Sequence, residues 1–61
     1  MLKTGMKVQV WEKPISRESL EGVATLMNFV VDLGQGIEVW MVRFIGERQW
    51  VSRKINLEDV N

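Results

Sequence analysis

Asp32-Leu33-Gly34-Gln35-Gly36-Ile37-Glu38-Val39-Trp40-Met41-Val42-Arg43-Phe44-Ile45 is the stretch that decides the fold. Its first five residues read as a turn. Two glycines accept positive φ at little cost, and an Asp side chain bonds its own backbone. The residues that follow read as a strand. Trp40, Val42 and Phe44 alternate with Met41 and Arg43, the period of two that marks a half-buried strand. A turn feeding such a strand predicts a hairpin.

The upstream arm of that hairpin is expected over residues 23–31. Ala24 and Leu26 share one face, and Val23, Thr25, Met27 and Phe29 the other. Both faces are apolar in part, as where a long strand bends and serves two packed layers. Further upstream, Val8 and Val10 alternate with Lys7, Gln9 and Trp11, which predicts a first strand over 6–12. Between these strands, Pro14 cannot donate to a ladder, and Ser16 to Ser19 are polar. Residues 13–21 are therefore expected to form the longest loop. Downstream, Gly46-Glu47 predicts a tight turn and residues 49–53 a short fourth strand. Residues 54–56 are expected to make one 3-10 turn, and 57–60 a short closing strand. The reading is one all-β domain over 1–61, with five strands. Its expected core is Val8, Val10, Ala24, Leu26, Trp40, Val42, Phe44, Val51 and Ile55.

Composition narrows the function classes. The chain has 61 residues, no Cys and no His. A chain this short buries only about 60% of the surface it exposes when unfolded, so small domains lean on staples. Here no disulfide can form, and zinc would have carboxylates alone, which is unusual for that metal. Eight basic and eight acidic residues give zero net charge, so no global basicity argues for nucleic acid. No apolar run nears the roughly 20 residues that span a bilayer, and Met1 to Lys7 is too polar for a signal peptide. The expectation is a soluble cytoplasmic protein without membrane contact.

Gly5-Met6-Lys7-Val8, Glu21-Gly22-Val23-Ala24-Thr25-Leu26 and Glu38-Val39-Trp40-Met41-Val42-Arg43-Phe44 together resemble small SH3-like barrel proteins. That broad class includes Tudor-like and KOW-like modules and many short bacterial and phage proteins. The resemblance implies a five-stranded SH3-like barrel with a long first loop and a short 3-10 turn before the last strand. It also implies ligand binding through surface aromatics. The type II dihydrofolate reductases share the size and fold, and carry a Val-Gln-Ile-Tyr run on a late strand. This chain has Trp50-Val51-Ser52-Arg53 there, so that activity is not carried over.

Candidate chemistry lies in the aromatics and cations. Trp40 sides with Val42 and Phe44 and is expected in the core. Trp11 and Trp50 alternate away from their strands' core valines, and exposed Trp is favoured at binding hot spots. The competing reading is that they cover an open end of the fold or a dimer seam. Arg43, Arg48, Arg53 and Lys54 sit on or beside the last two long strands. Cations interleaved with an aromatic make a minimal nucleic-acid footprint, since phosphates seek Arg and bases stack on Trp. The competing reading is a solvated surface in which Glu38, Glu47 and Glu58 pair with them. Glu12, Glu18 and Glu21 lack any sign of the burial that acid–base work needs. Ser16, Ser19 and Ser52 have no His or Cys partner for a triad. Gly34-x-Gly36 lacks the context and the Lys of a phosphate loop. Asp32, Glu58 and Asp59 have no EF-hand spacing.

The expected function is a non-enzymatic interaction module. It would bind a protein or peptide through Trp11, Trp50 and the loop between the first strands. No catalytic residue, metal or cofactor is expected. The alternative is a nucleic-acid-binding barrel with Arg43, Arg48, Arg53 and Lys54 on phosphates and Trp50 stacking a base. Surplus apolar residues such as Met27, Phe29, Val30 and Met41 add the expectation of a homodimer.

Overall fold

Val8 and Val10 are fully buried, as their alternation with polar neighbours requires, in strand β1 (Lys7–Lys13) of the computed structural model, which describes residues 1–60. Three more strands follow: β2 (Glu18–Gly34), β3 (Ile37–Phe44) and β4 (Val51–Asn56). They form one antiparallel sheet in the order β1-β2-β3-β4. The described residues contain no helix, and so none long and apolar enough to cross a membrane.

The long first loop is replaced by a tight hairpin. Only residues 14–17 turn. Pro14 fixes its own φ, the Arg17 N–H donates to the Lys13 carbonyl at 2.8 Å, and Arg17 and Ser19 take positive φ (56° and 60°). Strand β2 then begins at Glu18, pairing Glu18 with Lys13 and Leu20 with Trp11. Glu18, Ser19, Leu20 and Glu21 are all exposed. Their backbone joins a ladder while their side chains stay in water, so no apolar alternation announces the strand.

Strand β2 is also longer at its far end, where the β2–β3 turn shrinks to Gln35-Gly36. Both residues have positive φ (56° and 79°), the signature of a type I′ hairpin turn. Asp32 supports it by accepting from the Gly34 N–H at 2.7 Å. The pairing of β2 with β3 slips three times, skipping Met27, Val30 and Leu33. Each skipped residue is a bulge, which bends the strand and shifts the phase of its side chains. Phe29 consequently lies opposite Trp40, its ring edge-on at 5.6 Å, and not on the face of Val23 and Thr25.

The 3-10 turn expected at 54–56 is strand instead. Lys54, Ile55 and Asn56 pair with Val39, Glu38 and Ile37. The turn comes two residues later, where the Asn56 side chain accepts from the Glu58 N–H and its carbonyl from the Asp59 N–H. The closing strand reduces to one bridge, Val60 with Val8, beside a bond from the Gln9 N–H to the Asp59 carbonyl. The longest connection is residues 45–50, between β3 and β4.

The core holds Leu2, Val8, Val10, Ala24, Leu26, Trp40, Val42 and Ile55, with Met6, Phe44, Val51 and Leu57 packed against it. Phe44 and Val51, expected inside, are partly covered. Beneath the Phe44 ring lies Gly22, with φ of 148°, where an added Cβ would sit 3.5 Å from the ring.

Candidate functional site

A groove of about 500 Å³, open to solvent, lies where the outer strands β1 and β4 approach each other. Trp11 and Glu12 come from β1, Glu21 from β2, Val39 from β3, and Ser52, Arg53 and Lys54 from β4. Trp11 is half-buried. Its indole Nε1 is shielded from solvent and has no hydrogen-bond acceptor among the described residues. A buried donor without an acceptor is uncommon and costly.

Arg53 grips Glu21 with two nitrogens: Nε donates to Oε1 at 2.8 Å and Nη2 to Oε2 at 2.6 Å. Its Nη1 donates to the Ser52 carbonyl at 2.8 Å, and its guanidinium carbon lies 5.8 Å from the centre of the Phe44 ring. The hydrogen bond from Arg53 holds the Glu21 carboxyl below its ordinary range, with partial burial opposing and the cation's charge assisting. The same bond raises Arg53. Both groups are therefore charged and mutually satisfied at neutral pH.

The structure brings Trp11, Arg53 and Lys54 into one place. Trp50 is exposed but precedes β4 and does not line this groove. Arg43 pairs with Thr25 on the sheet face opposite Arg53, and its Nη1 donates to the Glu47 carbonyl at 3.3 Å. Arg48 is exposed in the 45–50 connection. Lys54 is exposed and makes no ion pair among the described residues.

Two features escape sequence reasoning. The first is a depression of about 380 Å³ between the two hairpin turns, lined by Pro14, Ile15, Leu33, Ile37 and Lys54. Asn56 Nδ2 donates to the Pro14 carbonyl and holds the first turn in place. Apolar Ile15 and Leu33 inside turn sequences were the available signal. The second is Asp59, 6% exposed, which accepts from Arg17 Nε at 2.8 Å. Its Oδ2 is buried without a partner. A separation of 42 positions leaves no local signal of the pair. Among the described residues no cluster of acidic side chains is arranged to hold a metal ion. The chain matches no protein-family model, and no curated protein or solved structure matches it significantly.

Proposed function

We propose that this chain is a non-enzymatic interaction module that binds a protein or peptide segment in the Trp11 groove. The observation that carries this reading is the groove's make-up: an aromatic floor, acidic Glu12 and Glu21, and Lys54 as a cation without an ion pair among the described residues. Lys54 also lines the Pro14–Leu33 depression. An extended peptide crossing both would lay one apolar residue on Trp11 and another on Ile15 and Leu33. An acidic residue between them would meet Lys54. Aromatic anchors in desolvated pockets dominate such interfaces.

The nucleic-acid reading is weaker on the same geometry. Phosphate binding needs cations free to release counterions. Arg53 is engaged by Glu21, Arg43 lies on the opposite face, and two carboxylates stand where phosphates would approach.

The groove reading goes with an SH3-like barrel. The meander order, the approach of β1 to β4 and the Val8–Val60 bridge at the place of a fifth strand support it. Coiled as a barrel, such a sheet would bring its two edges together, with the groove along that seam.

The test is selection of peptides from a random display library on the immobilised chain, alongside filter binding of single-stranded oligonucleotides. Enriched peptides with paired apolar residues around an acid are expected, with binding lost on Lys54→Glu. Salt-sensitive oligonucleotide binding that depends on Arg53, with no peptide enriched, would overturn the reading.

A further inference from the structure

Arg53 and Glu21 hold each other, but they are anchored unequally. The Arg53 guanidinium has two contacts besides Glu21. Its Nη1 donates to the Ser52 carbonyl at 2.8 Å, and its carbon lies 5.8 Å from the centre of the Phe44 ring, within the range of a cation–π attraction. The Glu21 carboxylate has Arg53 alone among the described residues. The pairing of β1 with β2 skips Glu21, passing from Val10–Gly22 to Trp11–Leu20. Such a bulge re-aims a side chain, and here it sets the carboxylate in the groove beside Trp11. Both side chains are open to solvent, Arg53 at 37% and Glu21 at 30%. Withdrawal of Glu21 would therefore leave the guanidinium in place, with Nε and Nη2 free.

Given the reading of the Trp11 groove as a peptide site, on which this rests, we propose that Arg53 is the groove's carboxylate-binding fork. Glu21 is its internal occupant, and the acidic side chain of a bound peptide displaces it. The fork itself names the ligand. Nε and Nη2 present two N–H groups that match the two oxygens of a planar carboxylate, and Glu21 accepts from both at 2.8 and 2.6 Å. The geometry of the guest is thus already displayed by the chain's own carboxylate.

Exchange at the fork is easy because exposed ion pairs hold weakly. Tethering is what protects it. A carboxylate on the same chain competes as though present at about millimolar concentration or above. A free anion must exceed that level to enter. A peptide that also lays an apolar residue on Trp11 is held by a second contact and enters below it. Glu21 thus sets a threshold that rejects acids lacking the apolar contact. Charge selects further. Glu12 and Glu21 balance Arg53 and Lys54 in this groove, and Lys54 makes no ion pair among the described residues. One incoming carboxylate can lean on Lys54, whereas a polyanion would crowd several charges against Glu12 and the displaced Glu21.

Fluorescence anisotropy tests the proposal with a labelled peptide, blocked at both ends, that carries one glutamate between two leucines, and with its glutamine counterpart. Glu21→Ala, checked for its β spectrum by circular dichroism, should bind the acidic peptide about three- to tenfold more tightly than the unchanged chain, since the rival carboxylate and its repulsion are both gone. Glu21→Gln should gain less, because its amide oxygen still accepts from the fork. Should Glu21→Ala fail to fold, the comparison is read from Glu21→Gln. The glutamine peptide should gain from neither, and adding Arg53→Gln to Glu21→Ala should abolish the gain. A gain shared by the glutamine peptide, or one that survives Arg53→Gln, would overturn the proposal. So would acidic-peptide binding that is equal or weaker in the Glu21 variants, an outcome that leaves the groove reading standing. If no form binds either peptide, the groove reading falls, and sodium acetate decides the fork by itself. The Arg53 Nε–H resonance should then respond in Glu21→Ala at acetate concentrations about threefold or more below those needed in the unchanged chain, which supports the fork, and an equal response overturns it.

Discussion

Two stretches of strand β2, residues 22–26 and 27–34, share a chain, a sheet and an apolar character, yet they live in different solvents. Ala24 and Leu26 are fully buried, whereas Phe29, Val30, Val31 and Leu33 stand about half exposed. What differs is cover. The first stretch has β1 on one side and, from Ala24 on, β3 on the other; the second has β3 alone. Residues 22–26 keep the two-residue period, while three bulges break it in the second stretch. Eleven residues of β2, from 24 to 34, run beside the eight of β3 from 37 to 44. Hydrophobicity states what a residue gains by burial; neighbours decide whether burial happens.

The largest expected effect breaks this contrast directly. Leu26→Ala removes a fully buried side chain and should cost about 2–5 kcal/mol. That is comparable to the whole stability of a small domain. Val31→Ala, equally apolar in sequence, should cost under about 1 kcal/mol in the monomer, since only partly covered atoms are lost. Urea unfolding followed by circular dichroism at low concentration measures both. Equal losses would mean that the second stretch is packed after all.

The ion pairs repeat the contrast. The Asp59 side chain is 5% exposed, while that of Glu21 is 30% exposed. Arg17→Met would leave the Asp59 carboxylate buried with both oxygens unpaired. A loss of about 1–3 kcal/mol is expected, even though Arg17 itself is 44% exposed. Gly22→Ala belongs in the same range. It forces a side chain into a positive-φ conformation costing about 1–3 kcal/mol, though its Cβ would make only ordinary contact with Phe44. The urea midpoint should fall for both with the slope unchanged.

The smallest effect is the pH dependence of the exposed pair. The folded state holds the Glu21 carboxyl below its ordinary value of 4.5. Folding therefore gains stability from this group above the unfolded pKa. The gain disappears as pH falls through the folded value and the carboxylate takes up its proton. Exposure limits it to on the order of 0.5 kcal/mol at neutral pH. Glu21→Gln should be slightly less stable than the unchanged chain at pH 7, and the difference should vanish in acid. A difference that persists well below the ordinary carboxylate range would mean that shape, not charge, carries the contact.

The candidate site was only partly legible. Trp11, Arg53 and Lys54 each stood out by residue type and strand position, and they share one groove. Glu21 as the partner of Arg53 did not, because 32 residues separate them. Trp50 looked equivalent to Trp11 by alternation, but β4 starts one residue after it. Its position thus follows the connection and not the strand's period.

Sequence alone determined the all-β class and most of the core. Val8, Val10, Ala24, Leu26, Trp40 and Val42 obey a local period of two, and the backbone pleat alone produces that period. The tertiary structure decided the rest. The polar residues 18–21 became strand because β1 offered them backbone partners. Residues 54–56 became strand because β3 did the same. Phe29 changed faces because the bulge at Met27 shifted the phase of the strand before it. Backbone pairing joins residues far apart in the chain and leaves no mark in the side-chain pattern of either partner alone.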